Sequence, residues 1–329
     1  MSGRTVAVLG PTPHDRITTH RGEVYEKYGC VVYTVAALAA LLDPDDRIAP
    51  VVHVRSDDEP AVRSLLEVFP NVDLTGLRSS TGRGDRVELT YRDQNVRDER
   101  QTDFMAPIRP ADVDFVIDAD IWVCVPITDY QVSLETLQHI TTEGRGTVLL
   151  DGHGPTSALS RGGRRVHRMW VDRDAWLPHL DILKMNLEEA GCSWFPPGDD
   201  PAGTTAGEPL TEADLPAFAE HCLRRGVRVV CVTLDETGCA VYHLDEGGAL
   251  VEALVPRIPV EHVVDTTGCG DSFAAGMAYG WLEFGDPVQA ARWGNAMGAQ
   301  RCSGSDLSVY LPREQTARQV RDTYAAVGG

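Results

Sequence analysis

Short apolar runs alternate along the chain with longer segments whose apolar residues recur at helical spacing. Runs such as 5–9 and 147–151 have the length and continuous apolar character of strands that are buried on both faces. Segments such as 271–284 place their apolar residues on one face of a helix. Because strands and helices alternate, the sequence predicts a mostly parallel sheet covered by helices on both faces.

The predicted strands, in chain order, are 5–9, 48–54, strand-like apolar runs within 115–127, then 147–151, 180–185, 227–234 and an antiparallel pair, 239–244 and 250–256. The predicted helices are 31–42, 61–69, 134–142, 211–225, 271–284, 287–302 and 313–326. Residues 82–102 interrupt this alternation, because they are charged and contain the alternating run 87–91. We interpret this segment as an exposed hairpin outside the main body. The Pro/Gly/Thr-rich stretch 198–207 is typical of a loop.

Composition narrows the classes of function. The chain has 329 residues, of which 43% are hydrophobic and 24% charged, and this suits one broad α/β domain. Its net charge of -19 repels phosphate backbones and argues against a nucleic-acid partner. The only lysines are Lys27 and Lys184. We therefore expect any cation that contacts a phosphate to be an arginine or a metal ion.

The cysteines and the start of the chain suggest a compartment. The eight cysteines include no C-x-x-C pair, so a zinc site has no support. The sequence does not open with a signal peptide, and it has no apolar run of 18 residues. We expect a cytoplasmic protein with free thiols and no membrane partner.

The segment Asp265-Thr-Thr-Gly-Cys-Gly-Asp271 carries the candidate chemistry. Gly268, Cys269 and Gly270 precede a helical apolar face, so their N–H groups have no partners inside the helix and form an anion pocket with the helix dipole. Asp271 would be repelled by a bound phosphate, and its presence there indicates a group that takes a proton. The structural alternative is an ordinary glycine helix cap with an acidic first turn.

This segment resembles the D-T-x-G-A-G-D motif of the ribokinase family, also called the PfkB family of carbohydrate kinases. Other features resemble that family in the same order over nearly the whole chain. They are Asp15 after a Gly-Pro-Thr-Pro-His run, Tyr28-Gly29-Cys30 before an Ala-rich helix, Asn186-Leu-Glu-Glu189, Thr233-Leu-Asp-Glu-Thr-Gly238, and Gly294-Asn295-Ala296. The resemblance implies a single ribokinase-like domain over 1–329: a three-layer α/β/α fold with a mostly parallel central sheet and a small β lid.

The resemblance also implies an ATP-dependent kinase that phosphorylates a hydroxyl of a small sugar or sugar-like molecule by in-line transfer. Asp271 would be the catalytic base, and Gly268, Cys269 and Gly270 would stabilise charge on the transferred phosphoryl group. The nucleotide would be bound by Thr233, Gly238 and Asn295.

Two cation sites follow from the same resemblance. Asn186 and Glu189 would organise Mg²⁺, mostly through water, and this suits an ion that takes few protein ligands. Asp265 and Thr267 would help form a monovalent cation site, for K⁺, in members that have one. Taken alone, Asn186 also fits a strand-ending turn and Glu189 an acid in a first helical turn.

The substrate would lie between the motif and the early part of the chain, where the implied substrate residues are Asp15, Gly29, Cys30 and Tyr33. Inserts at about 16–28 and 82–102 would form the lid, and exposed lid edges allow a homodimer. Cys30 stands where the family has a second glycine, and Tyr33 stands near a sugar-binding Asn. Asp235 replaces the glycine of the T-x-G pattern, which affects the nucleotide side.

Several functions remain open. The acceptor could be a sugar, a polyol such as inositol, or a nucleoside, and a catalytically silent binding protein would keep the same fold. Two other enzyme classes do not fit. A P-loop kinase needs Gly-Lys-Ser/Thr, which neither lysine provides, and a nicotinamide dehydrogenase needs G-x-G-x-x-G after the first strand, where Gly10 stands alone.

Overall fold

A computed structural model describes residues 3–82, 84–93, 97–195 and 210–325. The predicted loop 198–207 lies outside the described residues. So do residues 83 and 94–96 of the predicted hairpin and residue 326 of the last predicted helix.

The described strands are β1 (Thr5–Leu9), β2 (His14–Thr18), β3 (Val24–Tyr28), β4 (Arg47–Arg55), β5 (Leu77–Ser80), β6 (Arg86–Tyr91), β7 (Arg97–Asp103), β8 (Ile121–Cys124), β9 (Thr147–Asp151), β10 (Ser157–Leu159), β11 (Arg165–His167), β12 (Ile182–Asn186), β13 (Val229–Thr233), β14 (Gly238–Leu244) and β15 (Leu250–Pro256). The described α-helices are α1 (Val31–Leu41), α2 (Glu59–Leu66), α3 (Pro110–Val113), α4 (Leu134–Glu143), α5 (Arg173–Trp176), α6 (Leu187–Ser193), α7 (Leu215–Leu223), α8 (Cys269–Phe284), α9 (Pro287–Cys302) and α10 (Arg313–Ala325).

A nine-stranded sheet with the order β15-β14-β13-β12-β9-β8-β1-β4-β5 forms the centre of the structure. The strands from β13 to β5 pair in parallel, whereas β14 and β15 add an antiparallel edge. Because parallel strands point the same way, the loops that follow β1, β9, β12 and β13 meet at one edge. Ligands of open α/β sheets bind at such an edge.

The strands are apolar on both faces because helices cover both. Val6 and Val8 of β1 belong to a core cluster that includes residues of α1, α8 and α9. Ala7 and Leu9, the alternate residues, belong to a second cluster that includes residues of α4 and α7. The predicted three-layer α/β/α architecture is therefore confirmed, and it follows from period-two alternation along strands with no polar face.

A second, four-stranded sheet with the order β3-β2-β6-β7 lies beside the main body. The predicted inserts supply its two halves, since β2 and β3 come from residues 14–28 and β6 and β7 from residues 86–103. Ile17, Val87 and Leu89 form the apolar cluster of this small sheet. The β10–β11 hairpin contacts its β7 edge, where the Gln101 N–H donates to the Gly163 carbonyl at 2.8 Å.

The strand-like apolar runs predicted within 115–127 give one short strand. Only Ile121–Cys124 is extended, and the residues before it form α3 and a 3₁₀ turn, Asp114–Val116. Pro110 suits a first helical turn, and the Asp112 carboxylate accepts from the Arg109 N–H at 2.8 Å. Within the described ranges, no helix is both long and apolar enough to cross a bilayer.

Candidate active site

The predicted anion loop opens α8. Gly268 precedes the helix with a φ of 84°, a left-handed conformation that favours glycine. A Cβ at this position would lie 2.3 Å from the ring of Tyr33, so a side chain is also excluded by contact. The first-turn amides of Gly270 and Asp271 have no backbone acceptor among the described residues. With the helix dipole they provide a site for an anion.

A buried lysine lies under this loop. The Lys184 ammonium is 2.8 Å from the Asp151 carboxylate, and both residues are buried. A Cβ at Gly270 would lie 3.0 Å from the Lys184 nitrogen, so glycine lets the loop approach the ammonium. The composition favoured arginine or a metal ion for phosphate contacts, so a lysine at this position was not predicted. A signal was available, because Lys184 lies two residues before Asn186 and therefore on the same face of β12.

The Asp271 carboxyl group, in the first turn of α8, has a shifted pKa. Burial and the charge of Asp151 raise the pKa of Asp271 to about 6, although the Lys184 ammonium acts in the opposite direction. At neutral pH the group is therefore mostly ionised and can accept a proton. A base with a pKa near the working pH is well suited to proton transfer.

Asp15, on β2, faces the same space and is 5% exposed. A Cβ at Gly29 would lie 2.5 Å from the Asp15 carboxylate, so the glycine makes room for it. Burial raises the pKa of Asp15 well above its usual range; the charges of Glu99 and Asp271 raise it further, and that of Arg165 lowers it. A buried acid of this kind can hydrogen-bond a ligand hydroxyl.

The two other predicted substrate residues have different surroundings. Cys30 is the N-cap of α1 and keeps a positive φ of 48°, the conformation that the usual glycine would adopt more easily. It lies near Asp15 and Asp271, whose charges act on its thiol. Tyr33 is 2% exposed, and its ring packs under Gly268 and against the Arg301 guanidinium at 4.7 Å.

Charged side chains of the small sheet form a network that sequence reasoning missed. Glu99 is 2.7 Å from both Arg97 and Arg165. Burial raises the Glu99 pKa, but these two arginines bring it down to about 2. Arg97 also donates to the Tyr91 hydroxyl at 3.0 Å, and that hydroxyl is 3.0 Å from the Thr267 hydroxyl. The network therefore connects the small sheet to the anion loop.

Asn186 and Glu189 form a reciprocal capping box at the start of α6. The Asn186 side chain accepts from the Glu189 N–H at 2.8 Å, and the Glu189 carboxylate accepts from the Asn186 N–H at 2.9 Å. His153 Nδ1 lies 2.9 Å from the other oxygen of Glu189. Burial raises the Glu189 pKa, but the His153 hydrogen bond and the charge of Lys184 keep it below its usual value. Glu189 is thus a fixed, ionised carboxylate.

Two side-chain cations hold Asp265, which the resemblance placed at a monovalent cation site. Lys27 of β3 lies 2.5 Å from the Asp265 carboxylate, and Arg301 of α9 lies 2.8 Å from it. The other carboxylate oxygen accepts from the Thr267 N–H at 2.9 Å. A carboxylate with these partners does not fit a K⁺ ligand, because the ion would have to displace two existing positive charges.

The predicted nucleotide residues lie at the antiparallel edge of the sheet. Thr233 ends β13, a turn follows, and Gly238 begins β14 with a φ of 117°, where a Cβ would meet the Val255 carbonyl at 2.2 Å. Asp235 keeps a positive φ of 45° in that turn. The Asn295 amide donates to the Pro256 carbonyl and to the Tyr324 hydroxyl, both at 3.1 Å. These two hydrogen bonds hold α9 against this edge of the sheet and against α10.

The sequence comparisons agree with this arrangement. Residues 167–312, which include Asn186, Glu189 and the whole anion loop, match the model of the pfkB family carbohydrate kinases. This part of the chain is therefore similar to the pfkB family. An uncharacterised sugar kinase of Archaeoglobus fulgidus is 37% identical over 106 residues, which are 32% of this chain and 40% of that protein. The 2-dehydro-3-deoxygluconokinase of Bacillus subtilis is 29% identical over 168 residues, 47% of each chain. The chain thus spans less than half the length of these curated relatives.

Solved structures resemble the chain over nearly its full length. A pyrophosphate-dependent kinase of the ribokinase family superimposes with a TM-score of 0.72 at 16% identity, covering 95% of this chain and 99% of that one. Arabidopsis thaliana ribokinase, solved with ribose and ATP, superimposes with a TM-score of 0.70 at 17% identity, covering 98% and 99%. At such identities the likeness shows the fold alone, and the predicted ribokinase-like fold is confirmed.

Proposed function

We propose that this protein transfers the γ-phosphate of ATP to a hydroxyl group of a small sugar or sugar-like molecule. One observation carries the proposal. An ionised carboxylate with a raised pKa, Asp271, lies beside unpaired amides at a helix start and above a buried ammonium, Lys184. This arrangement supplies a base and an anion site next to each other, the two elements that phosphoryl transfer to an alcohol requires.

The protein groups have distinct roles in this reaction. Asp271 takes the proton of the acceptor hydroxyl, so that the oxygen attacks in line with the bond that breaks. The amides of Gly270 and Asp271 hold the oxygens of the transferred group, and the ammonium of Lys184 adds positive charge close to them. These donors are fixed before the reaction, because the helix and a buried ion pair hold them. Fixed donors of this kind stabilise developing charge without reorganisation.

Asn186 and Glu189 fit a water-mediated Mg²⁺ site. Asn186 and His153 already occupy one Glu189 oxygen, whereas the other accepts one backbone hydrogen bond, from the Asn186 N–H, among the described residues. That oxygen keeps a lone pair for a metal-bound water. Bound Mg²⁺ would neutralise charge on the nucleotide phosphates. We derive no role for a monovalent cation, because Lys27 and Arg301 already hold Asp265.

The four-stranded sheet would act as a lid over the acceptor. Asp15 of β2 faces the site from this sheet, and Arg97 and Glu99 of β7 act electrostatically on Asp15. The lid would exclude water, which otherwise competes as phosphoryl acceptor. With a pKa well above its usual range, Asp15 can both donate to and accept from acceptor hydroxyls.

A kinase assay with a substrate panel tests the proposal. ATP and Mg²⁺ are supplied with hexoses, pentoses, deoxy-keto sugar acids, inositols and nucleosides, and sugar-dependent formation of ADP is measured. We expect turnover with at least one sugar or polyol. Turnover with a nucleoside alone would reassign the acceptor class. ATP binding without turnover of any compound would favour a binding protein of the same fold.

The base is tested by Asp271→Asn. We expect this change to keep ATP binding and to lower kcat by about 10²–10⁴-fold, because the acceptor proton loses its base. Asp286→Asn is the matched control, since Asp286 is an exposed acid at the start of a different helix. An unchanged kcat in Asp271→Asn would exclude this residue as the base.

A further inference from the structure

Two cysteine sulfurs meet at the anion loop. Cys269 is the first residue of α8 and Cys302 is the last residue of α9, and their sulfur atoms are 3.0 Å apart. A disulfide bond is about 2.05 Å long, so the two atoms are about 1 Å from bonding distance. Both cysteines are half-buried, so a small reagent can reach them.

The chain on the two sides of the pair is already held together. The Val264 N–H donates to the Cys302 carbonyl at 2.8 Å, so the chain entering the loop lies against the end of α9. Arg301 strengthens this junction, because its buried guanidinium binds Asp265 and the Gly304 carbonyl. A disulfide would therefore connect two elements that are already held together. Because these contacts fix the end of α9, the contraction of about 1 Å between the sulfurs would fall on Cys269 and the loop around it.

The other cysteines differ from this pair. Cys30, Cys124, Cys222, Cys231 and Cys239 are buried, and Cys192 is the one other half-buried cysteine. The positive charges of Arg301 and Arg257 act on Cys302, and positive charge favours the reactive thiolate form of cysteine. Accessibility and a close partner coincide only at Cys269 and Cys302. The contact with Cys302 and burial raise the pKa of Cys269 well above its usual range, so Cys302, whose pKa is lowered, is the thiol that attacks first.

We propose that Cys269 and Cys302 form a reversible disulfide, an oxidation site that controls the geometry of the anion loop. The oxidant is a low-molecular-weight disulfide. The Cys302 thiolate attacks one of its sulfurs and forms a mixed disulfide, which releases one small thiol. The Cys269 thiolate then attacks the Cys302 sulfur of the mixed disulfide and releases the second small thiol. Two protein thiols are oxidised, and one small disulfide is reduced to two thiols.

The bond acts on the loop that holds the phosphoryl group, and this part of the inference rests on the proposed function. Cys269 lies between Gly268 and Gly270, so drawing its side chain toward α9 turns the amides that follow it. Asp271 is two residues further along the same helical turn. Oxidation should therefore slow phosphoryl transfer, and a reducing agent should restore it.

Mass spectrometry tests the bond independently of any activity. The protein is equilibrated with mixtures of oxidised and reduced glutathione, the remaining thiols are alkylated, and the chain is digested with trypsin. Cleavage after arginine puts Cys269 in peptide 258–292 and Cys302 in peptide 302–313, each with one cysteine. We expect these two peptides to be joined, two of the eight thiols to be lost, and the bond to be reversed by dithiothreitol.

Two serine variants complete the test. Cys302→Ser should keep the basal rate, form no joined peptide and lose the response to oxidised glutathione. Cys192→Ser should still form the joined peptide, and its rate should still fall by about tenfold or more on oxidation.

Two results would overturn the disulfide. One is failure to join the two peptides in excess oxidised glutathione, and the other is a mixed disulfide with glutathione that persists without forming the joined peptide. A joined peptide with an unchanged rate of an active kinase would overturn the control of the loop. Absence of basal activity would count against the proposed function and not against the disulfide, because the peptide result does not depend on activity.

Discussion

The two sides of the site hold their charges in different ways. On the side of the large sheet, Lys184 and Asp151 pair within neighbouring parallel strands, and both are buried. On the side of the small sheet, the pairs join elements that are far apart in the chain. Lys27 binds Asp265 across 238 residues, and the Tyr91 hydroxyl meets the Thr267 hydroxyl across 176 residues.

This difference separates a half of the site that the core fixes from a half that contacts between distant elements hold in place. The pair on the large sheet can separate only if the core opens, because strand register fixes both partners. The contacts of the small sheet form only while that sheet lies over the loop, so they depend on its position. In the proposed reaction the donor side would be preorganised, whereas we expect the acceptor side to open and close at a cost of a few polar contacts.

The largest effect is expected on the fixed side. Lys184→Met leaves the Asp151 carboxylate buried without its partner, and loss of one member of a buried pair costs about 3–5 kcal/mol. Urea unfolding measures the change in the free energy of unfolding. The double variant Lys184→Met, Asp151→Leu removes both charges and should recover most of the loss. A single variant within about 1 kcal/mol of the parent would show that the pair is not a fixed element.

The next effect concerns the acceptor. Asp15→Ala removes the buried acid that faces the site from β2, and we expect the KM for the sugar to rise roughly 10–100-fold while ATP affinity is unchanged. Steady-state kinetics and ATP titration measure the two quantities. Asp15→Asn is the matched control, because it keeps hydrogen-bonding capacity and should raise KM less. An unaltered sugar KM in Asp15→Ala would reject the role of Asp15.

The third effect is the loss of folding stability that the raised pKa of Asp271 causes. In the folded state the Asp271 pKa is about 6, above its value in an unfolded chain, so the folded state binds the proton more tightly. Stability is therefore lost as pH rises through 6, and Asp271→Asn removes that loss. Because the side chain is partly exposed, we expect the variant to be more stable at pH 8 by about 1–2 kcal/mol, with a smaller difference at pH 5. Thermal unfolding at the two pH values measures the difference, and an equal gain at both would contradict this explanation.

The same pKa predicts the pH dependence of the reaction. The rate should fall as pH decreases below about 6, because the protonated carboxyl group cannot accept the hydroxyl proton. A profile of kcat against pH for the parent enzyme shows this acidic limb. A limb near pH 4 would indicate that the Asp271 carboxyl is not the titrating base.

The smallest effect concerns the movable side. Lys27→Met removes one of the two cations on Asp265, but Arg301 remains as a partner of the buried carboxylate, so we expect a loss in overall stability of about 1 kcal/mol. Hydrogen exchange in β3 and β6 should nevertheless become a few times faster, because the small sheet loses a contact with the loop. In the parent, exchange in these strands should slow when ATP and acceptor are both bound. Equal exchange with and without ligands would count against a lid.

Sequence reasoning was most successful where one local rule decides the structure. The order of most main-sheet strands and of the longer helices followed from periodicity, whereas β5, β10 and β11 were not predicted. The opening of α8 followed from glycines before a helical face. The two departures from the family's glycines, Cys30 and Asp235, are also the only non-glycine residues with positive φ in the described part of the chain. The glycine pattern therefore identified strained backbone positions, although the residues in place are not glycine.

The sequence could not show which distant side chains pair. Arg97, Glu99 and Arg165 become neighbours only when a hairpin of the main body reaches the edge of the small sheet. Lys27 of β3 and Arg301 of α9 both bind Asp265, which lies before α8, although these three residues are far apart in the chain. Long-range contacts of this kind leave no periodic pattern in the sequence. The sequence around a charged residue does not indicate whether the folded protein supplies a partner for it.

The scarcity of lysine has a practical consequence. Both lysines are held in ion pairs around the site, and Lys184 is 5% exposed. Amine-reactive dyes, crosslinkers and biosensor surfaces therefore find very few targets on this protein, and the lysine side chain most open to them is Lys27 on the small sheet. Acylation there would neutralise the ammonium that binds Asp265. Labelling through cysteine would risk the pair at the loop, so an arginine-directed or enzymatic tag is the safer way to attach a probe.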